Sequence, residues 1–243
     1  MKAGLVQAAF RALPFGPLDR IVPGTALILA PHADDESLGC GGLIAACCAA
    51  GRPPVVAIVT DGAASHPHSH AWPAPRLRAR RQAEARHAVS LLGLAPGRVV
   101  FLGLPDADAP HEGPAFDRAV ATLAELAARH ACGTVLAPWR HDPHCDHEAV
   151  WKMGVALRKM CDLSLLAYPV WGWLIAPDTE LDQPPPHGMR LDIARHLPAK
   201  TEAIRAHESQ YGGLIVDDPT GFHLPEKLLS VFDVPFEVFL DHE

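Results

Sequence analysis

The chain is predicted to adopt an α/β fold: a Rossmann-like, doubly wound, mostly parallel sheet with helices on both faces. Three observations predict it. Short apolar runs, at residues 26–30 and 55–60 among others, have the unbroken hydrophobicity of strands buried on both faces. Segments with helical spacing alternate with these runs, as in βαβ units. Two dense polar stretches, residues 30–39 and 140–148, each stand between a strand and the following helix, where open α/β sheets bind ligands.

The elements follow in order. Residues 1–10 are weakly apolar and are interrupted by Arg11, Pro14 and Pro17, so they read as a short surface helix, not a signal peptide. The first strand, 26–30, runs through a polar turn into a small-residue helix at 41–50, where Gly39, Gly41 and Gly42 suit close packing of helix on sheet. The second strand, 55–60, ends at Asp61-Gly62. Residues 63–75, rich in His, Ser and Pro, read as a mobile polar surface loop; His66-Pro67-His68-Ser69-His70 in it resembles a small metal-binding tract, and the loop is also a candidate wall of the site with one of these His meeting substrate. A helix over 76–92 stops at Gly93, and Arg76, Arg78, Arg80 and Arg81 read mostly as its solvated face, with one Arg left open to reach a phosphate or sugar. A third strand at 98–102, a helix at 116–130, a fourth strand at 134–137, a helix from about 148 to 159 and a fifth strand at 163–170 complete the regular pattern. Beyond Pro169 the order weakens: Trp171 and Trp173 flank Gly172, a Pro-rich loop covers 182–187, and a strand at 189–193, a helix at 199–211 and a last strand at 236–240 are expected.

These elements fit one domain over 1–243, with a regular core at about 24–170 and a less regular part at 171–243. With 21 basic and 28 acidic residues the formal charge is −7, which argues against non-specific nucleic-acid binding. Six cysteines without a CxxC pair read as small core residues in a reducing, cytoplasmic setting. No apolar run reaches the ~18–20 residues of a membrane span.

The chemistry concentrates in the two polar stretches. His32, Asp34, Asp35 and Glu36 crowd one turn, and adjacent carboxylates repel unless a cation offsets them. Helix capping accounts for one or two acids but not for His32 and the whole cluster. His32 and Asp35, with a histidine from the second stretch, make the two-His, one-carboxylate set of a catalytic zinc site, which leaves a coordination position for water. A spare carboxylate beside it, Asp34 or Glu36, is suited to take the water's proton.

Pro31-His32-Ala33-Asp34-Asp35-Glu36 resembles the signature of the LmbE/PIG-L family of zinc-dependent de-N-acetylases, and Pro143-His144-Cys145-Asp146-His147-Glu148 resembles that family's second motif. Thr60-Asp61-Gly62, Leu104-Pro105-Asp106 and His207-Glu208-Ser209-Gln210 extend the similarity. The resemblance implies zinc held by His32, Asp35 and His147, with Asp34 as general base. It implies His144 as an imidazolium that stabilises the oxyanion, and Asp146 as the residue positioning His144. Arg81 and Asp106 are implied as sugar contacts. A typical member has Pro at the positions of Ala33 and Cys145, and Cys145 is kept open as a ligand or redox-sensitive thiol. The expected activity is hydrolysis of the N-acetyl group of an N-acetylglucosamine-type sugar or its conjugate, a small-molecule partner; the sequence sets no oligomeric state. The alternatives are a zinc amidase acting on a larger acyl group or a thiol-conjugate amide, and a non-catalytic metal-binding protein, against which the presence of Asp34 argues. Trp171 and Trp173 suit either a sugar subsite or the core. His207 and Ser209 lack the nucleophile elbow of a serine hydrolase.

Overall fold

The computed structural model describes residues 1–241. The chain begins with helices α1 (Ala3–Ala12) and α2 (Leu18–Ile21). Alternating elements follow: β1 (Thr25–Ala30), α3 (Asp35–Ala49), β2 (Val55–Thr60), α4 (Ala74–Leu91), β3 (Val99–Leu104), α5 (Gly113–Arg129), β4 (Cys132–Pro138), α6 (Cys145–Cys161) and β5 (Ser164–Tyr168). The remainder holds β6 (Gly188–Asp192), α7 (Leu197–Arg205), α8 (Glu208–Tyr211), α9 (Glu226–Phe232) and β7 (Phe236–Asp241).

All seven strands form one sheet in the order β3-β2-β1-β4-β5-β7-β6. Strands β1 to β5 are parallel, while β7 runs antiparallel to both β5 and β6. From β1 the chain winds outward through β2 and β3, then crosses back to β4 on the other side, with Leu27 opposite both Val55 and Val135. The direction of winding therefore reverses between β1 and β4. Their carboxyl ends lie side by side at a topological switch point, the crevice where doubly wound sheets bind ligands.

The period of a strand explains the two cores. Ile28 and Ala30 of β1 face one side with Leu43, Ile58, Val89 and Leu136, whereas Leu27 and Leu29 face the other with Leu123, Val150, Met153 and Leu157. Helix α1 is more than a surface helix: Val6 and Phe10 are fully buried, and the Phe10 ring meets Trp139 at 5.2 Å and Trp173 at 5.4 Å in a third cluster. Trp173 is thus half-buried against that cluster. Helix α3 approaches the sheet closely, since a Cβ on Gly39 would fall 2.2 Å from the Tyr168 ring.

Two helices begin earlier than the sequence suggests, α3 at Asp35 instead of 41 and α6 at Cys145 instead of 148, so both polar stretches run into the first turn of a helix. The helix expected over 199–211 is two pieces, α7 and α8, and α2 and α9 are additional. Glu237 on β7 accepts hydrogen bonds from the Gly42 and Leu43 amides and from Lys200 Nζ, each at 2.7 Å, which fastens the C-terminal elements to α3. Among the described residues, no helix is long and apolar enough to cross a membrane.

Candidate active site

The turn after β1 brings in His32, Asp34 and Asp35, the segment after β3 brings in Asp106, and the turn after β4 brings in Asp142, His144, Asp146 and His147. The sheet topology joins these sequence-distant segments at the switch point. His32 Nδ1 lies 3.2 Å from Asp35 Oδ2, and His147 Nε2 lies 3.3 Å from the same oxygen. One nitrogen or oxygen from each of the three residues falls within 4.8 Å of the others, and all three side chains are buried.

This set fits a metal of the zinc type. Zinc bonds of about 2.0–2.2 Å place tetrahedral ligand atoms roughly 3.3–3.6 Å apart, close to the two measured separations. His147 Nε2 is buried without a hydrogen-bond partner, an orphan that a metal would satisfy. The other nitrogen of each imidazole is held by a carboxylate: His32 Nε2 lies 3.0 Å from Asp146 Oδ2 and 3.3 Å from Asp106 Oδ1, and His147 Nδ1 lies 3.0 Å from Asp142 Oδ2. Carboxylates in this position fix the tautomer and aim of metal-binding histidines. A second group, His32, His144 and Asp146, has similar spacing. Its donors are more committed, because Asp146 already accepts from the Ala107 and Ala109 amides at 2.8 and 3.0 Å.

The charges follow from this packing. Burial acts to lower the His147 pKa, but Asp35 and Asp142 raise it to about 9. Burial likewise opposes protonation of His32, yet Asp106, Asp146 and Asp35 hold its pKa well above the usual imidazole value. Burial acts to raise Asp35, but His147 and His32 keep it well below the usual carboxylate range. Asp106 behaves alike: burial is outweighed by His32, and its pKa falls to about 2. These pairings concentrate negative charge around two imidazoles, a field that a divalent cation would also satisfy.

Asp34 differs. Burial lifts its carboxyl to about 6, against the attraction of Arg81, whose guanidinium lies 3.6 Å away. Its backbone, at φ 154° and ψ −31°, lies outside the conformations a side-chain-bearing residue ordinarily adopts. Glu36 holds it there: Oε2 accepts the Asp34 amide at 3.0 Å, while Oε1 accepts from Ser37 Oγ at 2.7 Å and sits 3.0 Å from His207 Nε2. Both Glu36 oxygens are thus engaged in the interior, and of the two spare carboxylates only Asp34 lines the cavity above the site.

That cavity measures about 740 Å³ and is floored by His32, Asp34, Asp35, Asp106 and His144. His144 is the N-cap of α6, and its Nδ1 accepts the Asp146 amide at 3.2 Å. An accepting Nδ1 carries no proton, so the proton of the neutral ring sits on Nε2. Burial and the neighbouring His32 and His147 lower its pKa. The arrangement therefore favours a neutral His144, in place of the expected imidazolium. Asp146 does not position the His144 ring with its carboxylate either; that carboxylate orients His32.

Two further expectations change. Arg81, read with its neighbours as solvated, lines the cavity but is buried, donating to the Gly62 and Ala33 carbonyls at 3.1 and 3.2 Å beside Asp34. The neighbouring Arg78 does lie at the surface, paired with Asp61. The 63–75 loop is tied to the C-terminal part by hydrogen bonds: Asp218 accepts the His68 amide, Asp217 accepts from Ser69 Oγ and the Ala71 amide, and Ser65 O accepts the Phe222 amide at 2.8 Å. His66 is buried against His223, with ring centroids 5.4 Å apart. Cys145 is exposed and belongs to neither metal-type group. Asp142, besides meeting His147, accepts from the Val170, Trp171 and Gly172 amides at 2.9, 3.1 and 2.7 Å.

Comparison with known proteins fits this geometry. Residues 27–157 match the family model described as "PIG-L: GlcNAc-PI de-N-acetylase". No curated protein sequence matches the chain. Among solved structures, the A40926 pseudoaglycone deacetylase Dbv21 aligns at TM-score 0.65 and 20% identity, over 89% of this chain and 96% of its own. N,N'-diacetylchitobiose deacetylase from Pyrococcus horikoshii aligns at TM-score 0.61 and 20% identity, over 77% of this chain and 71% of its own. The 4-carboxy-2-hydroxymuconate hydratase GalB from Pseudomonas putida KT2440 aligns at TM-score 0.59 and 20% identity, over 75% and 78% respectively. At these identities the likeness establishes a shared fold, and GalB makes plain that the fold alone does not choose the reaction.

Proposed function

Because this chain belongs to the PIG-L family of de-N-acetylases, we propose that it is a zinc-dependent hydrolase that removes the N-acetyl group of an N-acetylglucosamine-type sugar or its conjugate. The observation that carries the reading is the buried His32–Asp35–His147 set with Asp34 beside it on the floor of one cavity. Held by those three residues, zinc would polarise the acyl carbonyl and acidify the attacking water.

The chain's own residues do the rest. Asp34, at about 6, is ionised at neutral pH yet basic enough to accept a proton from water. Arg81 keeps it charged, and Glu36 fixes its backbone. His144, capped at Nδ1, donates from Nε2 to the oxygen on which negative charge develops. A neutral imidazole donor has no proton to spare for the departing nitrogen, so Asp34 returns the proton that it took. The balance is amide plus water giving acetate and the protonated amine. Asp106 and Asp146 hold His32, and Asp142 holds His147, while water is added.

The test is acetate release from a panel of N-acetylated glucosamine conjugates by zinc-loaded protein and by Asp34→Asn. Wild type releases acetate, and the variant keeps its zinc but loses about 10²–10⁴ in rate, the usual contribution of a general base. A fully active Asp34→Asn would remove the mechanism.

A further inference from the structure

Resting on that reading, we propose that the substrate carries an uncharged apolar or aromatic aglycone on its N-acetylated amino sugar, and that phosphate-bearing conjugates are its poorest substrates. The cavity's two sides differ in chemistry. Its floor is polar, but its wall is mostly apolar: Leu38, Pro67, Trp171, Phe222, Leu224 and Pro225 outnumber the polar groups there, His223 and Gln210 the largest of them. At about 740 Å³ it lies within the roughly 300–1,000 Å³ of pockets that enclose drug-sized ligands, more room than one hexosamine ring fills.

The apolar wall is built in advance. The Trp171 amide donates to Asp142 Oδ2, the same oxygen that meets His147 Nδ1, so the backbone that carries the indole is anchored to the partner of His147. Trp171 and Phe222 meet edge to face at 5.8 Å, the Phe222 amide donates to Ser65 O, and the Leu224 amide donates to Gln210 O. Both aromatic rings remain partly exposed. A half-exposed aromatic pair beside a sugar-sized polar floor suits an apolar group attached to that sugar.

The charges disfavour an anionic aglycone. Arg81 is the one guanidinium or ammonium among the described residues lining the cavity. Its terminal nitrogens are committed to the Gly62 and Ala33 carbonyls and Asp34, and its Nε, though without a partner, is buried from solvent. Helix N-termini give no substitute, because the first turns of α3 and α6 carry Asp35 with Glu36 and Asp146 with Glu148. With the metal position taken up by the acyl group, a phosphate on the aglycone would meet the carboxylates of Asp34 and Asp106 and find one imidazole on the wall, that of His223, but, among the described residues, no lysine or arginine exposed at the surface of the cavity.

The experiment measures acetate release by the full-length, zinc-loaded protein from phenyl N-acetylglucosaminide, methyl N-acetylglucosaminide and N-acetylglucosamine 1-phosphate. The expected result is a kcat/KM about tenfold or more higher for the phenyl than for the methyl glycoside, the scale of burying one aromatic ring, and lowest for the phosphate. Trp171→Ala and, separately, Phe222→Ala should bring the phenyl-to-methyl ratio toward one. Release from all three at equal efficiency, or best from the phosphate, overturns this inference and leaves the de-N-acetylase reading standing. Release from none overturns that reading; calorimetric binding of the same compounds to Asp34→Asn then decides the inference, tighter binding of the phenyl glycoside supporting it and equal binding overturning it.

Discussion

Asp142 should control metal affinity without touching the metal. Its Oδ2 lies 3.0 Å from His147 Nδ1, and the carboxylate also accepts the Val170, Trp171 and Gly172 amides. The substitution Asp142→Asn keeps the shape and removes one acceptor oxygen. With the amide oxygen at the Oδ2 position, His147, Val170 and Trp171 keep a partner and the Gly172 amide loses one. A buried N–H left unpaired costs about 1–3 kcal/mol. For a chain of this length each kcal/mol lowers Tm by roughly 2–4 °C, so the metal-free variant should melt about 2–12 °C lower. Loss of the negative charge behind His147 also makes its Nε2 a weaker donor, and changes to such partners typically cost about 10–100-fold in metal affinity. The assay is zinc competition against a chromophoric chelator, beside a thermal melt of the metal-free protein. A folded Asp142→Asn that binds zinc as tightly as wild type would refute the reasoning.

Three other outcomes follow from the same geometry. His147→Ala should lose zinc, whereas His144→Ala should keep it and lose about 10²–10³ in turnover, as for one oxyanion donor; metal content and rate measured together separate the two, and zinc loss from both variants would make His144 a ligand. In metal-free protein the His147 pKa is raised to about 9 from an ordinary 6.5, so the protonated ring stabilises the fold fully below about pH 6.5 and that contribution is lost as pH rises through 9. The Tm of chelator-treated protein should therefore fall from pH 6.5 to 9, and a rising Tm over that window would contradict it. The rate should drop as pH falls through about 6, where Asp34 takes up a proton, and Arg81→Gln should move that limb to higher pH because the guanidinium favours the charged carboxylate; a limb that stays put or moves down would show that Arg81 does not act on Asp34.

Much of the fold was legible because β1, β2 and β4 are buried on both faces, so their sequences are apolar without alternation. The early start of α3 was hidden by Gly39, Gly41 and Gly42, poor helix formers kept for close packing, and by acids that look like a turn but also suit a helix N-terminus. The antiparallel direction of β7 has no local signal; it depends on how the chain returns past residues 182–187. In the site, the two motifs identified His32, Asp35 and His147 as residues that meet. They did not say which imidazole the Asp146 carboxylate would reach, since His32 is 114 residues away and His144 only two. Arg81 looks solvated in a run of four arginines, yet it falls four residues after Leu77 and four before Ala85, on the buried stripe of α4. Asp142 stands in a turn, and its partners at 170–172 are visible only in the folded chain.

The central claim, that two imidazoles and one carboxylate from separate turns hold a zinc ion, is tested most directly by X-ray absorption at the zinc K-edge of the metal-loaded protein. The account predicts a shell of nitrogen and oxygen at about 2.0–2.2 Å with the outer-shell pattern of two imidazoles and no sulfur. A sulfur scatterer at about 2.3 Å, which would bring in Cys145, or the signature of a single imidazole would contradict it.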